Sequence, residues 1–318
     1  MLKRVVVYCL AVVLIFTAQN TYASYAVVNS ENGDLLIGEL AHEALPVASL
    51  TKIWTAYIVV KNSNLQDLVD ISKTAALMEG SSIYLQEGQQ KSVEYLLYGL
   101  LLRSGNDAAT ALAEHVGGSV EGFVILMNDE AQRVGLNNTH FMNPSGLHHD
   151  EHMISAYDMA QMLNVAMQDP TFRKIASSTF YSDGTVHWKN KHRLVGQKNA
   201  LAGKTGFTKV AGRTLATYYQ YGDRAFSVVT LGVGDDWNMH NGFAQQIKDN
   251  FKVQQIVAKG RYQVAGETIV LQEPIEVLIE EDVQLKHAIK YSRLRKDEAL
   301  WHVLKDNETI AVRRVKIE

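Results

Sequence analysis

Ser49 and Lys52 stand three residues apart in the stretch PVASLTKIWTAYIVV. Residues i and i+3 share one face of a helix, so a helix here sets the lysine amine beside the serine hydroxyl. A serine at a helix N-terminus also lies among backbone N–H donors and the positive end of the helix dipole, which suits an oxyanion. The chemistry would be acyl transfer through a nucleophilic serine. A serine hydroxyl is a poor nucleophile until a base takes its proton. Lysine is that base only when burial or a neighbouring cation lowers its pKa. The pair alone is equally an ordinary serine-capped helix start. A catalytic reading therefore needs a second cation and further donors elsewhere in the chain.

Two more short motifs offer them: Ser104-Gly105-Asn106 and Lys204-Thr205-Gly206. Each is weak by itself. Ser30-Glu31-Asn32 matches Ser-x-Asn as well, but it precedes Ser49 and fits a hairpin turn. A turn before a strand would account for Lys204-Thr205-Gly206. Order and setting strengthen the case. Ser49-x-x-Lys52 starts a helix, Ser104-Gly105-Asn106 follows on an interhelical loop, and Lys204-Thr205-Gly206 opens a strand.

Those settings come from the surrounding patterns. YAVVNSENGDLLIGEL reads as two strands about a turn at Asn32-Gly33-Asp34. In SLTKIWTAYIVVKN, an apolar stripe of Leu50, Ile53, Trp54, Tyr57 and Ile58 has helical spacing. SVEYLLYGLLLRSGNDAATALAEHVGG reads as two helical segments broken at Ser104-Gly105-Asn106. SVEGFVILMNDEAQRVGL is a further amphipathic helix, with Gly135 near its end. In NPSGLHHDEHMISAYDMAQML a loop enters a helix with Ser155 as N-cap and Asp158 close to a capping box. After Lys204 the chain alternates β-branched, aromatic and small residues, turning at Tyr221-Gly222-Asp223, and NGFAQQIKDNFKVQQIV returns to helix. The plan is α+β, with strands from both ends of the domain sharing one antiparallel sheet around a helical middle. From about Ala258 the segments ETIVLQ, PIEVLIEED and ETIAVRRVKIE read as a small β domain.

The chain has 318 residues, 47% hydrophobic and 20% charged, with a formal net charge of -3. That length fits one large domain and a smaller one. A nucleic-acid partner would call for a basic excess, which is lacking. The N-terminus has Lys3 and Arg4, an apolar run from Val5 to Phe16, polar Gln19 and Asn20, then small residues. This is the plan of a secretory signal peptide, too short in its apolar run for a membrane span of about 20 residues. Cleavage is expected at Ala23, with Ala26 as the alternative. The only cysteine, Cys9, lies in that run behind the bulky Tyr8, against a lipid-attachment site. A mature chain would then have no thiol chemistry or disulfide. The expected division is a signal peptide over 1–23, a catalytic domain over 24–257 and a β-rich domain over 258–318. The final segment is strand-like, so a C-terminal membrane-anchoring helix is not supported.

The three motifs in this order form the set shared by class A β-lactamases and penicillin-binding proteins. With the wider strings VASLTKIWTAY, LLRSGNDAATALAE, FMNPSGL, SAYDMA and KTGFTKVAGRTL, the chain resembles the low-molecular-weight penicillin-binding proteins that are serine-type D-alanyl-D-alanine carboxypeptidases. The likeness runs from about Tyr25 to Phe251, and the C-terminal part resembles that family's small β domain. It implies a β-lactamase/transpeptidase-like domain with an antiparallel sheet and a helical subdomain, plus the C-terminal β domain. It also implies an exported enzyme that trims peptidoglycan stem peptides ending in D-Ala-D-Ala, is acylated by β-lactams and needs no metal or organic cofactor. Peripheral association with the envelope is left open.

The resemblance further implies roles. Ser49 attacks the carbonyl between the two terminal D-alanines, and Lys52 is its base. Ser104 passes protons between Lys52, the leaving amine and the incoming water. Asn106 orients the substrate amide and helps hold Lys52. Lys204 keeps a positive potential that favours neutral Lys52, and Thr205 binds the terminal carboxylate. Gly206 lets the strand approach, and the N–H groups of Ser49 and Phe207 form the oxyanion hole. One departure stands out. The family often carries an arginine early in the helix after the last sheet strand, and DDWNMHNGFAQQIKDNF has none. Arg213 is the stand-in the sequence offers, against a solvated strand residue.

His148 to His152, HHDEH, could suggest a metal, but consecutive loop residues need not converge, and a solvated loop is the expectation. Two rivals remain. A class A β-lactamase would add a loop glutamate, and between Asn143 and Asp169 the only one is Glu151. A penicillin-binding wall or sensor module would acylate and scarcely turn over.

Overall fold

The computed structural model describes residues 23–318 apart from 198, 223, 281, 282, 293, 294 and 296. The expected signal segment before Ala23, with Cys9, and Asp223 of the expected turn lie outside the described residues. Strands β1 (Ser24–Asn29) and β2 (Leu35–Glu39) form the first hairpin. Helix α1 (Thr51–Asn62) follows a short 3-10 turn at Ala48–Leu50. Helices α2 (Val93–Tyr98), α3 (Asn106–Gly117), α4 (Val120–Arg133) and α5 (Ala156–Ala166) make up most of the helical middle. Strands β3 (Ala200–Thr208), β4 (Gly212–Tyr221) and β5 (Arg224–Leu231) return to the sheet, and helix α6 (Asp236–Asn250) closes the domain.

The sheet order is β3-β4-β5-β1-β2, and every neighbouring pair is antiparallel. The chain's first and later strands thus join at β5-β1, with Val27 opposite Val228. Both faces are covered. Ala26 and Val28 pack into the core shared with α1 and α5, while Val27 and Val228 pack with Ala244 and Ile247 of α6. This explains why β1 reads as a continuous apolar run instead of an alternating one.

Helix α1 is the centre of the domain. Its expected stripe is buried, but so are Thr51, Lys52, Thr55, Ala56 and Val59 around the helix. A helix enclosed on all sides must satisfy its polar groups internally. Thr55 donates to the Pro144 carbonyl at 2.7 Å, and the Trp54 indole N–H donates to the Met127 carbonyl at 3.0 Å. Ser155 caps α5 by accepting from the Asp158 amide at 3.0 Å. The capping box is half formed, because the Asp158 carboxylate accepts instead from the Asn138 amide and the Thr139 hydroxyl.

The stretch after Asn250 departs from expectation. FKVQQIV is strand β6 (Phe251–Val257), not a continuation of α6. Its β-branched Val253, Ile256 and Val257 suit a strand, and it pairs with β9 (Ile275–Glu280). Hydrogen bonding therefore ties the residues just before the expected boundary at 257 to the C-terminal strands. The other C-terminal strands are β7 (Gly260–Val264), β8 (Glu267–Leu271), β10 (Lys286–Tyr291), β11 (Glu298–Lys305) and β12 (Glu308–Ile317), in the order β7-β8-β12-β11-β10. Their core includes Ile269, Ile275, Val277, Trp301 and Val303. Among the described residues no helix is long and apolar enough to cross a membrane.

Arg313 of β12 reaches across to the β1-β2 turn and donates to both carboxylate oxygens of Asp34 at 2.8 Å. The Asp34 side chain is only 1% exposed. Removing one partner of a buried pair strands the other charge, whereas replacing both is far milder. Arg313→Ala is expected to lower the unfolding free energy by about 3 kcal/mol. Asp34→Leu with Arg313→Met should recover most of that loss. Denaturant unfolding of the three chains measures both, and a loss in Arg313→Ala of no more than the ~1 kcal/mol of an exposed pair would contradict the expectation.

Candidate active site

The structure brings the three motifs together around a cavity of about 410 Å³. Ser49, Ser104, Thr205, Gly206, Phe207 and Arg213 line it. Lys52, Asn106 and Lys204 stand behind, all buried. A larger cavity of about 620 Å³ lies between the β1-β2 turn and α5. It holds no lysine beside its one serine, Ser30, so the smaller cavity is where the chemistry can occur.

Ser49 sits in the 3-10 turn that leads into α1, behind an Ala48 with φ of +51°. Lys52 Nζ lies 3.1 Å from Ser49 Oγ and 2.5 Å from the Ser145 carbonyl oxygen. No salt bridge to Lys52 exists among the described residues. Burial, then the Lys204 and Lys191 charges, hold the Lys52 amine well below the ordinary lysine range. These are the conditions under which a lysine accepts a proton near neutrality.

Ser104 and Asn106 owe their places to the end of the preceding helix. Beyond α2 the chain widens into a π-type turn over Gly99–Arg103, then reverses at Ser104, whose φ is +66°. This left-handed residue ends the helix and places Ser104 at the cavity wall. Asn106 opens α3 and donates through Nδ2 to the Glu79 carbonyl at 2.6 Å. The direct hold on Lys52 expected from Asn106 is supplied instead by the Ser145 carbonyl. Asp107 next to it accepts from the Ser82 hydroxyl and from the Ile83 and Leu85 amides, tying the 79–85 segment to α3.

Lys204, Thr205 and Gly206 lie inside β3, which begins at Ala200, earlier than expected. A Cβ on Gly206 would meet Thr214 Oγ1 at 2.4 Å and the Ser49 nitrogen at 2.9 Å, so only glycine lets β3 run against the turn that holds Ser49. Lys204 Nζ donates to the Thr205 carbonyl at 2.7 Å, and burial, aided by Lys191, lowers its pKa to about 7. Phe207 is exposed at the rim, opposite Arg213 on β4.

Arg213 is no free solvated residue. Its Nε and Nη2 donate to the two oxygens of buried Asp236, at 3.1 and 2.6 Å. Asp236, at the start of α6, fixes the guanidinium at the cavity edge. The region expected to carry an arginine thus supplies a carboxylate that holds one from the earlier strand β4. Lys191 and Arg193 add two more cavity cations. Lys191 donates to Ser81 at 3.2 Å, and Arg193 lies over the Trp237 ring at 5.5 Å. Sequence reasoning missed these residues, and the run NKHRL carried the signal only as a local excess of cations.

The HHDEH segment divides. His148, His149, Asp150 and Glu151 are exposed, as a solvated loop requires. His152 is buried against α1, with Nε2 2.8 Å from Thr51 Oγ1. Glu151 is turned to solvent and lines none of the Ser49 cavity.

The electrostatics make a signed prediction. With Lys52 as the neutral base and Lys204 as the retained cation, kcat/KM for a carboxylate-bearing substrate rises as Lys52 loses its proton and falls as Lys204 loses its own. The Lys191 charge lowers both amines. Lys191→Met should therefore move both limbs of the profile to higher pH. A profile that stays in place would contradict this electrostatic arrangement.

A family model described as D-alanyl-D-alanine carboxypeptidase matches residues 16–234. A D-alanyl-D-alanine carboxypeptidase of Bacillus subtilis, DacF, is 35% identical over 218 residues, covering 65% of this chain and 56% of the relative. DacC of Escherichia coli, with the same description, is 34% identical over 227 residues, covering 67% of this chain and 57% of the relative. The chain thus spans little more than half the length of these curated relatives. Among solved structures, penicillin binding protein 5 of Haemophilus influenzae superposes with a TM-score of 0.73 at 25% identity, over 92% of this chain and 95% of that one.

Proposed function

The chain belongs to the D-alanyl-D-alanine carboxypeptidase family, and on that premise we propose that it removes the terminal D-alanine from peptidoglycan stem peptides through an acyl-enzyme on Ser49. The observation that carries the reading is Lys52 Nζ at 3.1 Å from Ser49 Oγ, in a pocket that disfavours its charged form.

The neutral Lys52 amine accepts the Ser49 proton as Oγ bonds the carbonyl carbon between the two D-alanines. The carbonyl's electron pair moves onto its oxygen, which the N–H groups of Ser49 and Phe207 receive. Loss of one such donor costs about 10² to 10³ in rate. When the pair returns, the C–N bond breaks, and the proton held by Lys52 reaches the departing amine by way of Ser104. Water then attacks the ester, its proton passing by way of Ser104 to Lys52 and from Lys52 to Ser49 Oγ as the bond between Oγ and the acyl carbon breaks, which frees the shortened peptide and restores the Ser49 hydroxyl. Thr205 and Arg213 receive the terminal carboxylate, and Lys204 supplies the positive field behind them. Asn106 orients the substrate amide. Serine acyl transfer of this kind needs no group beyond these side chains. β-Lactams would acylate the same hydroxyl, because their ring presents an acylatable carbonyl.

The N-terminal pattern supports an exported protein with a signal segment over 1–23. The remaining chain reads as a catalytic domain followed by the β-rich domain.

Two measurements test the reading. Purified chain given a D-Ala-D-Ala peptide should release D-alanine, and Ser49→Ala should abolish release. Mass spectrometry after penicillin should place one acyl group on Ser49. Rapid nitrocefin turnover without D-alanine release would favour the β-lactamase, and acylation without release the sensor module. Arg213→Ala is expected to raise KM about tenfold with a smaller change in kcat, as loss of a charge-assisted carboxylate contact does. An unchanged KM in steady-state assays would remove Arg213 from substrate binding.

A further inference from the structure

His152 is a buried titratable group that the mechanism above does not use, and its neighbours define a continuous chain of hydrogen bonds. The Met142 amide lies 3.1 Å from His152 Nδ1. His152 Nε2 lies 2.8 Å from Thr51 Oγ1, and Thr51 Oγ1 lies 2.8 Å from the Ala48 carbonyl oxygen. The directions are forced. An amide N–H only donates, so Nδ1 accepts. The neutral ring then carries its proton on Nε2 and donates to Thr51. Thr51 must turn its own hydroxyl proton to the Ala48 carbonyl. The ring is fixed edge-on by Phe141, with centroids 5.6 Å apart. Burial, with His140, His149 and Lys52 adding to it, keeps the imidazole neutral down to about 4.

The end of this chain is the peptide unit before the nucleophile. Ala48 has a φ of +51°, a conformation that residues with a side chain rarely adopt unless their surroundings impose it. The Thr51 backbone N–H reaches the same carbonyl. Gly146, from the loop that carries Met142 and Ser145, lies so close that a Cβ there would be 1.9 Å from the Ala48 oxygen. In a trans peptide unit the carbonyl and the following N–H point in opposite directions within one plane. No peptide bond among the described residues is cis. Gripping the Ala48 oxygen therefore aims the Ser49 N–H. That nitrogen faces β3, at 2.9 Å from where a Gly206 Cβ would stand.

We infer that His152 and Thr51 are positioning residues, whose hydrogen-bond chain from Met142 to the Ala48 carbonyl holds the strained Ala48–Ser49 peptide so that its N–H serves the oxyanion. The inference rests on Ser49 being the nucleophile.

The test is the time course of acylation by a fluorescent penicillin, read as a saturating rate constant, an apparent binding constant and the final labelled fraction. Thr51→Val should lower the rate constant about tenfold, since a misaimed donor loses part of the 10² to 10³ that a deleted one loses. The binding constant should hold, and every molecule should still label. Thr51→Ser, which keeps the hydroxyl, should restore the rate. His152→Asn keeps an acceptor for the Met142 amide but does not reach Thr51. It should reproduce the slow, complete labelling and provides the same test should Thr51→Val not fold. An undiminished rate constant in these variants, or a reduced labelled fraction at the wild-type rate, overturns the inference, the latter showing a role in stability alone. Wild-type chain that takes no label at Ser49 overturns the nucleophile assignment, and the inference with it.

Discussion

A lysine amine with no paired carboxylate among the described residues, buried one helical turn from a serine, is the constraint on which the site depends. Such an amine is unstable as a cation, and the fold makes it more so by placing Lys204 and Lys191 where their charges reach it. Asp107 is the carboxylate whose charge is felt at Lys52, and its oxygens are occupied by the 82–85 segment. The helix must therefore bury Lys52 without leaving its nitrogen unsatisfied. The Ser145 carbonyl and the Ser49 hydroxyl supply the two contacts.

The architecture follows from that requirement. Helix α1 is enclosed on every side, and three of its polar side chains bond to one loop, Thr55 to Pro144, Lys52 to Ser145 and Thr51 to His152. The Asn143 side chain rigidifies that loop by accepting from the Ser145 and Gly146 amides. On the other side β3 closes against the same turn, which Gly206 alone makes sterically open. The sheet that carries β3 is covered on both faces, so the position of Lys204 is set by two packed cores and not by a surface loop.

Much of this was legible in the chain itself. The Ser49 and Lys52 pairing is local, with a fixed helical period, so spacing alone predicts it. The strands around Lys204 show through their β-branched and aromatic residues. Other parts had no such signature. Ser145 acts through its carbonyl, which every residue possesses. Asp236 is one acid among several in DDWNMHN, and only the fold shows that it holds Arg213. His152 resembles its exposed neighbours in composition, and its burial comes from the partner helix. FKVQQIV has apolar spacing compatible with either period, and the distant β9 makes it a strand.

The protonation of Lys52 in the resting chain is the central claim, and it is open to direct observation. Carbon-13 labelling of the lysine Cε positions, with Lys52→Arg and Lys204→Arg spectra for assignment, permits an NMR titration of both amines. The structure predicts that Lys52 loses its proton well below the range of the surface lysines, and that Lys204 titrates at about 7. A Lys52 signal that titrates with the surface lysines would contradict the account.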